Sequence, residues 1–166
     1  PKGDLVAAGE MGIGNTTPSS AICSLLVGLT PEEATGIGSG LDPAKLAHKA
    51  EVIRRSLEIN RPDPNDAVDI LAKIGGLEIG TMCGVYLGAA MRRSAVIIDG
   101  FIAGAAALLA EKLAPAIRHY FFAAHCSNEK AHQAPFEHPG LSPLLDFGMW
   151  LGAGSGSVSS TCLLEC

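Results

Sequence analysis

The chain has 166 residues, of which 48% are hydrophobic, and this is enough apolar material to fill the core of one domain. Its formal net charge is −5, and no basic run is longer than a pair, which argues against nucleic acid as a partner. The five cysteines have neither CxxC nor zinc-site spacing, so we expect reduced, mostly buried thiols in a cytoplasmic protein. The longest apolar stretches fall well short of the roughly 20 residues that span a bilayer, which argues against a membrane protein.

Both ends of the sequence have the character of interior segments. The chain starts at Pro1, only a few residues before an apolar run, and it stops at Cys166 within a predicted helix. We therefore expect residues 1–166 to form a single α/β domain that is the later part of a longer chain.

The first predicted element is a strand at residues 5–8, which leads into a glycine-rich turn at 9–18. Thr17 as the N-cap and Pro18 at the first helical position predict a helix after this turn. An Asp-Pro pair and apolar residues at helical spacing predict a second helix at 43–60.

The rest of the chain alternates between apolar and polar segments of element length. These segments predict helices at 66–74, 77–91, 101–113 and 144–151, strands at 94–99 and 119–124, a loop at 128–143, and a second glycine-rich turn at 152–156 before a final helix. The strand at 94–99 has no polar alternation, as expected when both of its faces are covered. Strands alternating with helices predict an α/β fold, a three-layer, mostly parallel, Rossmann-like sheet with helices on both faces.

Three predicted strands end in polar or glycine-rich clusters, which are residues 9–17, Asp99 with Gly100, and residues 125–127. Ligands of open parallel sheets bind outside the carboxyl ends of the strands, so the three clusters would meet there and form a site. The structural alternative is that the glycines only make tight strand-to-helix turns.

The first cluster has the composition of an anion site. A glycine-rich turn before a helix N-terminus presents backbone N–H groups and a positive dipole end, which suit a phosphate. The pattern is neither GxGxxG nor a P-loop. Because a carboxylate would repel a phosphate, either the phosphate lies beyond Glu10 or Glu10 faces the sugar or the base. Lys49 lies in the next predicted helix, and its spacing alone indicates a lysine that is exposed to solvent.

The sequence argues against three other kinds of site. Ser127 is not in a GxSxG elbow, and no acid is placed relative to Ser127 and His125, which argues against a hydrolase triad. The histidines lack the HExxH spacing of a zinc protease, so we expect no metal, and we expect no other cofactor. A nicotinamide-dependent oxidoreductase would need GxGxxG with an acidic ribose anchor, and the chain lacks this pattern.

The string GEMGIGNTTP at residues 9–18 resembles the G-E-[LM]-G-x-x-N-T-T-[PA] signature of the nicotinate-nucleotide:dimethylbenzimidazole phosphoribosyltransferases. Further matches follow in order: TGIG at 35–38, the helix from His48 and Lys49 to Asn60, DIL at 69–71, GVYLGAA at 84–90, DGF at 99–101, HCSNE at 125–129 and LGAGSG at 151–156. The resemblance covers essentially the whole chain, and what is missing is the family's N-terminal half and its last helices.

The resemblance implies a substrate contact for several matching positions. Gly12 and Lys49 would hold the 5′-phosphate of nicotinate mononucleotide, and Ser127 would lie near the nicotinate carboxylate. Met11 and Leu151 would form walls of the pocket for 5,6-dimethylbenzimidazole or a related aromatic base.

Four further positions follow from the same resemblance. Asp99 and Gly100 match substrate-binding positions, Glu10 matches a catalytic carboxylate, and Ala153 occupies the position of the family's general-base glutamate. The implied reaction moves the phosphoribosyl group of nicotinate mononucleotide to the base with inversion at C1′, giving α-ribazole 5′-phosphate and nicotinate in cobalamin biosynthesis. The full-length form would be a homodimer.

The alanine at position 153 leads to two alternative expectations for the function. The reaction needs a carboxylate near the attacking base, and loss of a general base removes roughly 10²–10⁴-fold of a rate. The flanking residues of the LGAGSG string are kept, so binding would survive this loss. We therefore expect either an impaired phosphoribosyltransferase or a catalytically dead module that binds nucleotide or benzimidazole.

Overall fold

The computed structural model describes residues 5–35, 42–125, 130–138, 140–145 and 154–164. Within these ranges the strands are β1 (Leu5–Ala8), β2 (Ala95–Ile98) and β3 (Phe121–Ala123). The helices are α1 (Thr16–Val27), α2 (Pro31–Ala34), α3 (Pro43–Asn60), α4 (Ala67–Ile74), α5 (Leu77–Met91), α6 (Phe101–Leu113), α7 (Lys130–Glu137) and α8 (Ser155–Leu164). A 3-10 helix, Pro115–Tyr120, leads into β3.

The three strands form one parallel sheet in the order β1-β2-β3. Ala8 pairs with Ile98, and Ile98 pairs with Ala123, so the strands end at the same level. Parallel neighbours need crossover connections, which α1 to α5 provide between β1 and β2, and α6 provides between β2 and β3. The turns that follow the three strands therefore collect at one edge of the sheet.

Strand β2 is covered on both of its faces. Val96 and Ile98 belong to the main core, which α5 and α6 share, whereas Ile97 points to the opposite face and is also fully buried. Helix α8 contacts β1 and β2, and its first turn is bonded to Asp99, which points to the same face as Ile97. The predicted α/β fold is confirmed as a small parallel sheet flanked by helices.

Carboxylates fix the starts of two helices between β1 and β2. Asp66 accepts hydrogen bonds from the backbone N–H groups of Val68 and Asp69 at the start of α4. Asp42 accepts one from the N–H of Ala44 at the start of α3. First-turn N–H groups have no acceptor within their own helix, so these caps stabilise both helices where the sequence predicts them to begin.

The core is built around α6, whose small side chains let neighbouring helices approach closely. Residues 102–110 are all buried, and α6 contacts α1, α5 and α7. A Cβ on Gly104 would lie 2.8 Å from the Cβ of Pro135 in α7, so the contact between these two helices needs a glycine. Close packing of this kind forms one continuous core beneath the sheet.

Three predictions for the later part of the chain differ from the structure, either in the kind of element or in its bounds. The predicted loop at 128–143 contains α7, which has Pro135 inside it. Pro135 and Phe136 are buried, and this packing outweighs the helical hydrogen bond that a proline removes. The predicted strand at 119–124 begins only at Phe121, because the 3-10 helix extends through residue 120.

The predicted helix at 144–151 does not begin as a helix. Leu144 N donates to the carbonyl of Ala123 at 2.9 Å, and Leu145 N donates to that of Ala124 at 3.0 Å. Leu145 also forms a parallel bridge with His125. Leu144 and Leu145 therefore extend the sheet beyond β3. Residues 146–151 lie outside the described residues. In the described part of the chain, no helix is both long enough and apolar enough to cross a membrane.

Candidate active site

The turn after β1 is folded around one carboxylate. Oε2 of Glu10 accepts hydrogen bonds from the backbone N–H of Gly12 and, at 2.8 Å, from Nδ2 of Asn15. Gly12 and Gly14 have φ angles of 74° and 79°, in the left-handed region that side chains disfavour, and this lets the chain double back onto Glu10. The N–H of Gly12, which the family resemblance assigns to a phosphate, therefore donates to Glu10.

The lysine predicted for the anion site lies at the start of α1. Helix α3 contacts α1, and Nζ of Lys49 donates a hydrogen bond to Oγ1 of Thr16, the first residue of α1, at 3.0 Å. The N-cap residue Asn15 makes no side-chain capping bond, and the first turn contains no acidic residue. An ammonium group thus lies beside the positive end of a helix dipole, and both attract an anion.

Two apolar side chains of the same turn project into solvent. Met11 is 77% exposed and Ile13 is 81% exposed. Met11 is the predicted wall of the aromatic pocket, whereas sequence reasoning missed Ile13, because the matching signature allows any residue at that position. Small-molecule pockets combine apolar walls with a few polar groups, so these side chains beside Glu10 suit an aromatic ligand.

Asp99 follows β2 directly and is buried, with 2% of its surface exposed. Its Oδ1 accepts a hydrogen bond from Ser157 N at 2.7 Å, and its Oδ2 accepts one from Gly154 N at 2.9 Å. Both donors belong to the first turn of α8 and the residue before it, where the helix dipole favours a negative charge. Asp99, predicted to bind substrate, uses both carboxylate oxygens within the protein.

The ends of β2 and β3 meet the start of α8 at Gly156. A Cβ added to Gly156 would overlap Nδ1 of His125 and lie 2.9 Å from Oδ1 of Asp99, so only glycine fits. His125 follows β3 and is 1% exposed. The structure therefore brings together the strand-end clusters at 99–100 and 125, as the parallel topology predicts.

Tyr86 in α5 is a group near both carboxylates that sequence reasoning missed. Its ring is fully buried and contacts Phe121 edge-to-face, with 5.8 Å between the ring centroids. Burial raises the pKa of its hydroxyl, and the charges of Asp99, Cys83 and Glu10 raise it further. The hydroxyl is therefore protonated at neutral pH. It has no hydrogen-bond partner among the described residues.

Three of the predicted site residues, Ser127, Leu151 and Ala153, lie outside the described residues. Gly154, which follows Ala153, is described and is held by the carboxylate at the end of β2. Gly100 is the N-cap of α6 and, as a glycine, offers a substrate only its backbone groups. Across the described ranges, no group of three or more His, Cys, Asp or Glu side chains is arranged to hold a metal ion.

Known proteins resemble this chain over nearly its whole length. Residues 2–166 match a family profile described as phosphoribosyltransferase. The nicotinate-nucleotide–dimethylbenzimidazole phosphoribosyltransferase of Desulforudis audaxviator is 58% identical over 165 residues, which are 99% of this chain and 47% of that protein. The protein of the same name from Desulforamulus reducens is 53% identical over 161 residues, which are 97% of this chain and 46% of that protein.

The fold also has a solved counterpart. The crystal structure of CobT from Thermus thermophilus superposes with a TM-score of 0.90 at 40% sequence identity, over 97% of this chain and 48% of that one. The chain thus spans about half the length of the curated relatives it matches. With the family profile matched at residues 2–166 and relatives more than half identical, the chain belongs to the nicotinate-nucleotide–dimethylbenzimidazole phosphoribosyltransferase family.

Proposed function

We propose that this chain is the part of a phosphoribosyltransferase that holds nicotinate mononucleotide and presents its C1′ to 5,6-dimethylbenzimidazole or a related aromatic base. The observation that carries the proposal is the contact of Lys49 with Thr16 at the start of α1, beside the Glu10 turn. The products would be α-ribazole 5′-phosphate and nicotinate, in cobalamin biosynthesis. The complete protein would be a cytoplasmic homodimer that needs no cofactor.

A phosphate at the start of α1 would meet several favourable groups. The first N–H groups of a helix have no acceptor within it, and they carry the positive end of the dipole. Lys49 adds an ammonium group 3.0 Å from Oγ1 of Thr16. The carboxylate of Glu10 accepts hydrogen bonds from Gly12 and Asn15, and these bonds stabilise its charge. This arrangement favours a 5′-phosphate at Thr16 and Lys49 over one at the Gly12 N–H.

The reaction needs a carboxylate as well as an anion site. A ring nitrogen of the incoming base attacks C1′, the C1′–N bond to nicotinate breaks, and nicotinate leaves with that electron pair. The second ring nitrogen of the base loses its proton to a carboxylate. Glu10 has one oxygen, Oε1, that accepts no hydrogen bond from the described residues, whereas Ala153 has no proton acceptor. Holding both substrates in line supplies much of the remaining rate.

Ala153 favours a second candidate function, a catalytically dead module that binds nucleotide or benzimidazole. Alanine accepts no proton, and the family resemblance places a glutamate at this position. The groups offered to the phosphate, by contrast, lie on α1 and α3 and do not involve residue 153. Turnover and binding are therefore separable, and turnover by the complete protein distinguishes the two functions.

Lys49→Ala tests the anion site. We expect the variant to bind nicotinate mononucleotide about tenfold or more weakly, because hydrogen bonds to charged groups contribute roughly 1.5–3 kcal/mol. Isothermal titration with the mononucleotide, and separately with inorganic phosphate, measures the change. Lys45→Ala is the matched control, since Lys45 is an exposed lysine one turn earlier on the same helix, and its effect should stay below about twofold. Equal losses of affinity in both variants, or no loss of affinity in Lys49→Ala, would contradict the proposed anion site.

Ala153→Glu separates the two candidate functions. The substitution is made in a chimaera that joins this chain to the part of the Desulforudis audaxviator relative that it does not span. We expect kcat for nicotinate release to rise by on the order of 10²-fold or more, because a general base is restored. Ala153→Gln has a similar size without a base and should leave kcat low. If the chimaera with Ala153 already works as fast as its glutamate version, Glu10 or another group is the base.

A further inference from the structure

We infer that Asp99 is a positioning residue, whose carboxylate holds the start of α8, and with it the backbone that follows position 153, at the end of β2. The inference rests on the proposed function, in which position 153 is the position of the family's general base. It assigns Asp99 a role different from the substrate contact that the family resemblance implies.

The two oxygens of Asp99 fix the backbone just after position 153. Oδ2 accepts from the N–H of Gly154, the next residue in the chain, and Oδ1 accepts from that of Ser157, the third residue of α8. Hydrogen bonds to a carboxylate are about twice as strong as neutral ones, and the dipole of α8 adds to them. The start of α8 is thus held at two points by the side chain of the residue that follows β2.

Asp99 has almost no surface left for a ligand. It is 2% exposed, and its Oδ1 lies so near the backbone of Gly156 that an added Cβ would be 2.9 Å away. A substrate could reach the carboxylate only if one of the N–H groups moved off it. The buried charge would then lose a hydrogen bond that compensates for its removal from water.

Asp99 also relates the start of α8 to the Glu10 turn through the sheet. It follows Ile98, which pairs with Ala8 of β1, and Glu10 comes two residues after Ala8. Neighbouring strands lie about 4.8 Å apart, so Asp99 and the turn folded around Glu10 follow adjacent strand ends. Catalytic groups need support that holds them to within about 0.5 Å, and a strand end provides it.

Asp99→Asn keeps the size of the side chain and replaces one acceptor oxygen with an NH₂ group. In the chain as it stands, we expect amide hydrogen exchange at Gly154 and Ser157 to become about tenfold or more faster, while exchange in β2 stays as slow as before. The affinity for nicotinate mononucleotide should change by less than about threefold, because the proposed phosphate groups lie on α1 and α3.

The kinetic signature is measured in the Ala153→Glu chimaera. Asp99→Asn should lower kcat by about tenfold or more with little change in KM for nicotinate mononucleotide, because the base is displaced and the nucleotide is not. Asp99→Glu keeps the charge but moves the carboxylate by one methylene. It should likewise lower kcat with little change in KM. A raised KM with an unchanged kcat would mean that Asp99 contacts substrate, and the inference would be wrong.

Gly156→Ala disturbs the same contact without changing any charge. Its Cβ would collide with His125 and Asp99, so the start of α8 must move, and we expect the same faster exchange and lower kcat. If Asp99→Asn unfolds in a thermal melt, Gly156→Ala and Asp99→Glu decide the question. Unchanged exchange at Gly154 and Ser157 overturns the inference. Amide exchange does not depend on turnover. An inactive Ala153→Glu chimaera would therefore contradict the proposed function and leave the inference about Asp99 to be decided by exchange.

Discussion

Two buried groups, on α1 and α5, keep their protons to high pH. Burial raises the pKa of the Cys23 thiol, and burial together with nearby charges raises the pKa of the Tyr86 hydroxyl. In the unfolded chain both groups ionise near their ordinary values, about 8.5 for cysteine and about 10 for tyrosine. A raised folded pKa contributes stability that is complete below the unfolded pKa and is lost as the pH rises above it.

We therefore expect the free energy of unfolding to fall at alkaline pH, by roughly 1.4 kcal/mol per pH unit for each buried group once its unfolded form has ionised. Urea melts at intervals from neutral to strongly alkaline pH measure the slope. Cys23→Ala removes one of these groups and should make the fall shallower. Cys162→Ala removes an exposed cysteine and should leave the slope unchanged. Equal slopes in the two variants would contradict the argument.

Individual residues of the site could be predicted from the sequence only in part. The family resemblance predicted Lys49 at the phosphate site, whereas spacing alone indicated a solvated lysine. The comparisons confirm the family, and the structure brings Lys49 to Thr16 at the start of α1. The bonds from Asp99 to Gly154 and Ser157 join residues 55 and 58 positions apart. No local pattern predicts contacts of that range, so these bonds needed the structure.

Among the elements, those with strong local signals were predicted best. The predicted bounds of the helices at 77–91 and 101–113 and of the strand at 5–8 are those observed. An apolar run with a glycine at one end specifies each of these segments locally. Helix α7 was missed because its sequence is polar and contains Pro135, and it is stabilised by contact with α6. Tertiary packing of this kind overrides local preference.

Two glycines in neighbouring helices give a matched test of helix packing. Gly104→Ala places a Cβ 2.8 Å from Pro135, so we expect it to destabilise the fold by roughly 1–3 kcal/mol. Gly84→Ala places a Cβ on the exposed face of α5, where no atom lies within 4 Å. It should stabilise the fold by roughly 0.5–1 kcal/mol through helix propensity. Thermal melts of both variants measure the difference, and changes of the same sign would contradict the packing described for α6 and α7.

At the scale of the whole molecule, the alternation of strands and helices was enough to predict a parallel α/β sheet. Strand order and register were not predictable, because the crossover between β1 and β2 contains five helices and no local signal fixes which strands become neighbours. The extension of the sheet by Leu144 and Leu145 was missed for the same reason, since those residues pair with a strand more than twenty positions earlier.

The two sides of the sheet end differently. On the β3 side, the backbone of Leu144 and Leu145 occupies the carbonyls of Ala123 and Ala124. On the β1 side, Leu5–Ala8 pairs with β2 along one edge, and no strand in the described ranges pairs with its other edge. An unpaired strand edge is a template for any extended chain, including a second copy. We therefore expect strand-by-strand aggregation of the chain to begin at this side of β1, and not at the carboxyl ends of the strands, where the proposed substrates would bind.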